Sequence, residues 1–269
     1  MASLPDLPGP KLHPFNHKGS ELKIVFLESI DKGGEGVIWK VSIDDKIYAL
    51  KIFAFDPHGI VTRLEDRLVG RTTIDELQKY RSPFAAECRA YGRLKETNKE
   101  NLSIKCYGYI ILTSKHEEEL RMKGEIPEGI DRRWESHSNL PFQAIVKEYV
   151  PEGLRPWPYL DASKVPQMIR DLNDLHRIGI HVNDVKENNY LRDKIIDFGF
   201  SRTAPHPYLI PDYIDWMSMN PHARDDTPVQ DEEDFDEMID FYNEMVDEGH
   251  HNEAATLYVE EAAIDAQIR

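Results

Sequence analysis

The sequence is poor in cysteine and has no long apolar run, and each shortage argues against a class of protein. It has two cysteines, Cys88 and Cys106, which are too few for the disulfide framework of a small secreted domain. No segment approaches the roughly 18 apolar residues of a membrane-spanning helix, and no N-terminal stretch resembles a signal peptide. We therefore expect a soluble intracellular protein, in the cytoplasm or nucleus, with no membrane partner.

Positive charge is also scarce. The 269 residues include 33 lysines and arginines against 49 aspartates and glutamates, for a formal net charge of −16. Such a molecule repels the phosphate backbone of nucleic acids, so we expect no nucleic-acid partner. A nucleotide, which is itself an anion, would have to be held by local cations, backbone N–H groups and metal ions.

What the sequence does contain is enough apolar material for a folded core. Hydrophobic residues make up 40% of the chain and aromatic residues 10%, which suffices for one large domain or two small lobes. Residues 1–20 hold four prolines and two glycines, a composition typical of a flexible lead-in.

Hydrophobic periodicity predicts a β-rich first part followed by a helical part. Along the chain, apolar residues first alternate as in strands and then recur at helical spacing. Strand-like alternation follows again, and helical spacing dominates the last part. The predicted elements are strands over 22–30, 36–43 and 46–53, a helix over 83–95, strands over 103–112 and 142–149, a helix over 165–175, two short strands over 190–191 and 194–196, and later helices around 235–246 and from about 253. A polar insertion over 113–140 separates two of the strands.

Two short motifs in the β-rich part suit a phosphate-bearing ligand. Gly33, Gly34 and Gly36 join two predicted strands, where glycines let the backbone approach phosphates, although a plain hairpin turn has the same pattern. One strand later, Lys51 stands between apolar neighbours, where a lysine needs an anion. Glu87 on the following helix is its natural partner, unless the two are unrelated surface charges.

The strongest motif begins at Asp184 as Asp-Val-Lys-Glu-Asn-Asn and continues with Asp-Phe-Gly from Asp197. Phosphoryl transfer needs a carboxylate that orients the attacking hydroxyl, oxygen ligands for magnesium, and a cation near the moving phosphoryl group. These parts are supplied by Asp184, Asn189, Asp197 and Lys186. Their order behind Lys51 predicts a site that uses ATP and Mg²⁺.

From residue 22 to residue 202 the sequence resembles the protein-kinase superfamily. The resemblance implies roles for the residues that match its motifs. It implies a phosphate-covering loop at Gly33, Gly34 and Gly36, a phosphate-holding lysine at Lys51 with its helix partner Glu87, an adenine-pairing hinge at Glu148, Tyr149 and Val150, a catalytic aspartate at Asp184, a loop lysine at Lys186, and metal ligands at Asn189 and Asp197.

The resemblance also implies the architecture. We expect an α+β, bilobal protein-kinase-like fold with a β-rich N-lobe over 21–150 and a truncated, mostly helical C-lobe over 151–269, after the flexible lead-in over 1–20. The segment Glu-Cys-Arg-Ala-Tyr-Gly-Arg-Leu from Glu87, with the polar insertion over 113–140, also resembles a fungal group of kinase-like proteins. One branch of that group is named for a kinetochore subunit.

The sequence departs from the kinase pattern at several points. Asp31 stands where the first loop glycine is usual, and Val182-Asn183 replaces the usual His-Arg before the catalytic aspartate. Lys147 falls beside the hinge, where a buried lysine would pair with an acid or reshape the adenine pocket, unless the strand register is shifted by one residue. After Arg202 no motif for docking peptide substrates follows.

The C-terminal part contains an acidic stretch over 231–248 with an apolar stripe. Its charge predicts a surface that recruits a basic protein partner. Within it, Asp234 has the position of the buried aspartate that supports the catalytic loop in kinases, but a solvated acidic face has the same sequence.

Two functions remain open. The first is an ATP- and magnesium-dependent phosphotransferase with an unknown acceptor, protein or small molecule, in which Asp184 orients the hydroxyl and Lys51 helps to neutralise the triphosphate. The second is a pseudokinase or scaffold, motivated by the departures from the kinase pattern. Its working surfaces would be the acidic helix over 231–248 and the insertion over 113–140.

Overall fold

The computed structural model describes most of the predicted elements. The described residues are 4–54, 68–123, 140–151, 162–210 and 228–247. Most of the polar insertion, at 124–139, lies outside them, and so does the helix expected from about residue 253.

The first half of the chain forms a five-stranded antiparallel sheet in the order β1-β2-β3-β5-β4. Its strands are β1 (Val25–Gly33), β2 (Gly36–Ile43), β3 (Lys46–Phe53), β4 (Cys106–Ile111) and β5 (Gln143–Glu148). As predicted, the first three strands follow one another directly. Asp44 and Asp45 form the turn between β2 and β3 with φ angles of 49° and 63°, the backbone that a two-residue hairpin requires.

Five α-helices accompany the sheet in the described chain, which gives the mixed α and β composition that the sequence predicts. They are α1 (Ile74–Arg81), α2 (Pro83–Glu96), α3 (Ser114–Met122), α4 (Val165–Arg177) and α5 (Pro228–Asp247). Two short strand pairs lie between α4 and α5: β6 (Ile180–His181) with β9 (Arg202–Thr203), and β7 (Tyr190–Leu191) with β8 (Lys194–Ile195). Within the described ranges, no helix combines the length and apolarity needed to cross a membrane.

Helix α2 is the central element of the larger apolar core. Ser82 caps its N-terminus by accepting from the backbone N–H of Ala85, and Pro83 occupies the first turn, where a missing N–H costs nothing. The core around it also includes Met168 and Leu172 of α4. Because residues of α4, α5 and the sheet meet in this core, α2 is fixed between the sheet and the helical part.

The opposite face of the sheet has a second core, to which the insertion contributes. Helix α3 begins after Thr113, whose side chain accepts from the backbone N–H of His116. Leu120 of α3 packs with Trp39 and Leu50 of the sheet. The described part of the insertion thus covers this face of the sheet, although its sequence is mostly polar.

Residues 4–16 differ from the flexible lead-in that we expected. Leu7 and Leu12 are buried, and Leu12 belongs to the core around α2. The backbone N–H of Phe15 donates to the Tyr109 carbonyl at 2.8 Å, so this segment covers the outer edge of β4. The proline-rich composition does not predict such a contact. The segment has no helix or strand periodicity, and its position is set by the groove of the folded domain in which it packs.

Candidate functional site

A cavity of about 1600 Å³ opens between the face of the sheet that carries Lys51 and the loops that follow α4. Nearly all of the residues that the sequence predicts for the site line it. They are Gly33, Gly34, Gly36, Lys51, Glu148, Tyr149, Val150, Asp184, Lys186, Asn189 and Asp197. Glu87 lies directly behind Lys51, to which it is hydrogen-bonded.

Lys51 is the centre of the buried charge in this cavity. Strand β3 places it opposite Ile38 of β2 and Ile145 of β5, so its stem is surrounded by apolar side chains. Its Nζ donates to Asp197 Oδ1 at 2.6 Å and to Glu87 Oε2 at 3.0 Å. Burial by itself would lower the pKa of Lys51, but the charges of these carboxylates outweigh it and raise that pKa above its usual range.

Glu87 is fully buried and bridges two lysines. Its Oε2 accepts from Lys51, and its Oε1 forms an ion pair with Lys147. Lys147 also donates to the Ile196 carbonyl at 2.7 Å. The pairing of β3 with β5 places Lys147 opposite Ala49, so the register is the one assumed from the sequence and the buried lysine pairs with an acid.

Asp197 is held in its ionised form. Burial would raise the pKa of Asp197, but the positive charges of Lys51 and Lys147 dominate and hold it at about 2. The backbone N–H of Gly199 also donates to Asp197 Oδ1 at 2.9 Å. At neutral pH the cavity therefore contains a fixed carboxylate beside a fixed ammonium group.

Asp184 lies in the loop between β6 and β7 with its predicted neighbours. Its carboxylate lies 2.9 Å from Lys186 Nζ and accepts from Asn189 Nδ2 at 2.8 Å. Asn189 Nδ2 also donates to the Asp184 backbone carbonyl at 2.8 Å. These contacts leave the amide oxygen of Asn189 as its remaining acceptor.

The residue that supports this loop is Asp231 and not Asp234. Asp231, at the start of α5, is fully buried and accepts from the backbone N–H groups of Val182 and Asn183 at 2.7 and 2.6 Å. Asp234 is only half-buried. Asp231 precedes Phe235 by four residues, so the apolar stripe of the helix already indicates that it faces the core.

Asp231 also contacts one of two stacked histidines, His176. His176 Nε2 lies 2.8 Å from its Oδ2, and the His176 ring stacks on that of His181. Candidate ligand atoms of the three residues lie within 4.8 Å of one another. Because Asp231 already accepts three hydrogen bonds, the contacts indicate a role in supporting the loop rather than in holding a metal ion.

Glu35 is a site residue that sequence reasoning missed. It lies between the loop glycines, and its Oε2 is 3.0 Å from Lys51 Nζ. Burial, opposed by Lys51, raises the pKa of Glu35. The side chain rests on Gly199, where a Cβ atom would collide with the Glu35 carboxylate. The sequence does not indicate the direction in which an acidic side chain in a turn points. This contact could therefore not be predicted from the sequence.

The loop glycines differ in whether the surrounding structure leaves room for a side chain. A Cβ at Gly36 would collide with the Ile52 carbonyl oxygen, so the sheet itself requires glycine there, whatever the ligand. Nothing approaches the corresponding positions at Gly33 and Gly34 within 4 Å. Both face the cavity opening and leave space at the turn.

The predicted hinge residues lie at one wall of the cavity. The backbone N–H of Glu148 donates to the Lys105 carbonyl at 2.8 Å, which ties this residue to the segment before β4. The ring of Tyr149 lies beneath Lys40 Nζ, 4.8 Å from it.

Residues 1–202 match the family model described as kinetochore Sim4 complex subunit FTA2. A comparison with curated proteins finds no match. Kinetochore subunits act inside the cell, in the nucleus, so the family match confirms the intracellular location predicted from the sequence.

Proposed function

The chain belongs to the family of the kinetochore Sim4 complex subunit FTA2, and from this membership we propose that it is a scaffold subunit that binds protein partners in a kinetochore complex. Its framework would be a bilobal kinase-like domain. The five-stranded sheet, helix α2 with Glu87, and the loop around Asp184 surround one cavity, and this arrangement supports the kinase-like interpretation.

The observation that carries the scaffold proposal is the outer face of α5. The inner face packs into the core through Phe235, Met238 and Ile239. The exposed charged side chains on the outer face are all acidic: Glu232, Glu233, Asp236, Glu237, Asp240 and Glu244. The helix contains no lysine, arginine or histidine.

The acids of α5 repel one another. Partial burial and the neighbouring charges of Asp240 and Glu232 raise the pKa of Asp236. A partner with a basic surface would relieve this repulsion and would be attracted over a distance of about one Debye length, roughly 8 to 10 Å at physiological salt. We therefore propose that α5 is the docking helix for a basic protein partner.

The test is to reverse the charge of α5 and follow assembly in cells. A tagged chain with Glu233→Lys, Glu237→Lys and Asp240→Lys should lose the Sim4 complex subunits that co-purify with the unaltered chain. The matched control reverses three exposed acids outside α5 and outside the insertion, Glu21→Lys, Glu28→Lys and Glu96→Lys, and should retain them. Equal retention by both variants would contradict the assignment of α5.

A second candidate function, an ATP- and magnesium-dependent phosphotransferase, is favoured by one specific observation. Lys51, Asp184, Asn189 and Asp197 line the same cavity, as the transfer of a phosphoryl group from ATP requires. In this reading Asp184 binds the acceptor hydroxyl and Lys186 supplies positive charge beside it. The acceptor would be a protein or a small molecule.

The residues of the cavity fit magnesium more readily than a triphosphate. Asn189 keeps its amide oxygen and Asp197 its Oδ2 for a metal ion, because their other polar atoms are already bonded. These are oxygen ligands of the type that Mg²⁺ prefers, and bound magnesium would neutralise phosphate charge. Lys51 can meet a phosphate only when one of its carboxylate partners withdraws.

Ligand-induced stabilisation tests this second candidate. Saturation with MgATP, MgADP or MgGTP at about 100 times the dissociation constant should stabilise the fold by about 2.7 kcal/mol. For a chain of this size, that corresponds to a rise in Tm of about 5 to 10 °C. Transfer from labelled ATP to a panel of acceptors, compared with Asp184→Asn, separates turnover from binding. Absence of both signals would remove the candidate.

A further inference from the structure

The ammonium group of Lys51 has no hydrogen-bond donor to spare. An ammonium carries three N–H donors. Three carboxylates accept from it: Asp197 at 2.6 Å, and Glu87 and Glu35 at 3.0 Å each. A phosphate oxygen can therefore reach Lys51 only if one of these carboxylates leaves.

Two of the three carboxylates are fixed by other contacts. Glu87 is fully buried on α2 and is also paired with Lys147. Asp197 accepts from the backbone N–H of Gly199 as well as from Lys51. Withdrawal of either residue would leave further polar groups unpaired, at a substantial cost in free energy.

Glu35 is the carboxylate that can withdraw. It lies in the turn between β1 and β2, its side chain is 19% exposed, and its side-chain hydrogen bond goes to Lys51. Its Oε1 is buried without a hydrogen-bond partner, whereas Glu87 Oε1 forms an ion pair with Lys147 and Asp197 accepts from Gly199. The Glu35 carboxylate is therefore less well satisfied than the other two. The glycines on both sides of it permit the turn to change its backbone angles.

A phosphate that binds Lys51 in place of Glu35 would have to enter the space that the Glu35 carboxylate occupies. The carboxylate lies between Lys51 and Gly199, at the inner end of the cavity and beside Asp197. Both a carboxylate and a phosphate present anionic oxygen to a lysine, so the two compete for the same donor.

We propose that Glu35 determines the ligand specificity of the cavity, because it acts as an internal anion on Lys51 that a ligand phosphate must displace. This inference rests on the second candidate function, the nucleotide site. The apparent affinity for a nucleotide is then the intrinsic affinity multiplied by the fraction of molecules in which Glu35 has left Lys51. A ligand without phosphate, such as adenosine, does not compete with Glu35.

The test compares Glu35→Ala with a control on the strand that leads into the turn. Glu28→Ala removes the same charge, but Glu28 is exposed on β1, 4.0 Å from Lys40 Nζ, and does not line the cavity or contact Lys51. Calorimetric titration with MgADP should show binding to Glu35→Ala that is about tenfold tighter or more than binding to the unaltered chain, the size expected for loss of a charged competitor. For Glu28→Ala the change should be less than about threefold, as for a screened surface charge.

Several outcomes would overturn the proposal. Equal gains in the two variants would show that only net charge matters, and an unchanged affinity in Glu35→Ala would show that Glu35 is no competitor. A tenfold gain for adenosine as well as for MgADP would show that the substitution opens the cavity in general. Absence of MgADP binding in every variant would remove both this inference and the nucleotide site.

The results also separate this inference from the second candidate function. If the unaltered chain and Glu35→Ala bind MgADP equally, the nucleotide site stands and the role of Glu35 is rejected. If only Glu35→Ala binds, the role of Glu35 stands and the unaltered chain is not a nucleotide-binding protein. Amide hydrogen exchange over residues 31–37, measured without nucleotide, should be faster in Glu35→Ala than in Glu28→Ala. Equal exchange in the two variants would contradict the contact with Lys51.

Discussion

The inner end of the cavity and the outer face of α5 use the same type of side chain in opposite ways. At the inner end, Glu35, Glu87 and Asp197 all contact Lys51. Along α5, six exposed acids follow one another in a helix with no cationic residue. The first arrangement satisfies its charge within the domain, whereas the second presents its charge to solvent, where the proposed partner would bind.

The comparison predicts where substitutions should act. Removal of one member of a buried ion pair leaves an uncompensated charge and typically costs about 3 to 5 kcal/mol of folding free energy. Substitution of an exposed charge usually changes stability by less than about 0.5 kcal/mol. Substitutions in the buried ion pairs of the cavity should therefore lower the free energy of unfolding. Substitutions on the outer face of α5 should weaken assembly with little change in that free energy.

The largest effect is expected at Glu87. Glu87→Ala leaves two buried lysines, Lys51 and Lys147, without their shared partner, and should lower the free energy of unfolding in urea by about 3 to 5 kcal/mol. Glu96→Ala, at the exposed end of the same helix, should cost less than about 0.5 kcal/mol. Similar losses in both variants would show that Glu87 is not the shared partner of the two lysines.

The next effect is expected at Asp231. Asp231→Ala removes the acceptor of two backbone N–H groups in the loop before Asp184 and should cost about 2 to 4 kcal/mol, since each unsatisfied buried donor costs about 1 to 3 kcal/mol. Asp234→Ala, one turn later on α5, should cost less than about 1 kcal/mol. Thermal unfolding of the two variants checks this order, and a larger loss for Asp234→Ala would refute the assignment.

A smaller effect depends on pH. The pKa of Asp197 is held at about 2, below its ordinary value of 3.8, so its ionisation contributes stability that is fully present above pH 4 and is lost as the pH falls towards 2. The shift corresponds to about 2 kcal/mol. The stability difference between the unaltered chain and Asp197→Asn should therefore shrink between pH 5 and pH 2.5 in urea titrations. A constant difference would argue against the ion pair.

Motifs in the sequence predicted the parts of the site that a short pattern can specify. Lys51, Asp184 and Asp197 were found because order and spacing along the chain are sufficient to recognise them. Lys147 was expected beside the hinge, and its pairing with Glu87 follows from the register of β5. Lys51 and Lys147 lie on strands, where the alternation of side chains fixes their direction, and Asp184 and Asp197 belong to motifs that are recognised without knowledge of that direction.

The missed features depend on contacts between distant segments. The direction of Glu35 is decided by Lys51 and Gly199, which are far from it in sequence. The burial of Leu12 depends on the groove beside α2. Asp231 was missed for a different reason: its spacing from Phe235 indicates the core face, but the acidic composition of the helix favoured a solvated surface.

The smallest effect on stability is expected for the triple reversal on α5. Glu233→Lys, Glu237→Lys and Asp240→Lys should change the free energy of unfolding by less than about 0.5 kcal/mol per site, since all three side chains are exposed. Urea titration of the triple variant checks that its fold is intact. A much larger loss would mean that α5 is a stability element rather than a docking surface.

The most direct test compares the two regions in one assembly measurement. Tagged chains carry either the α5 triple reversal or the cavity variant Asp184→Asn, which keeps the ion pairs of Lys51, and the co-purified Sim4 complex subunits are quantified under the same conditions. The scaffold account predicts that the cavity variant retains its partners at the level of the unaltered chain and that the α5 variant loses most of them. Retention by the α5 variant together with loss by the cavity variant would contradict the account.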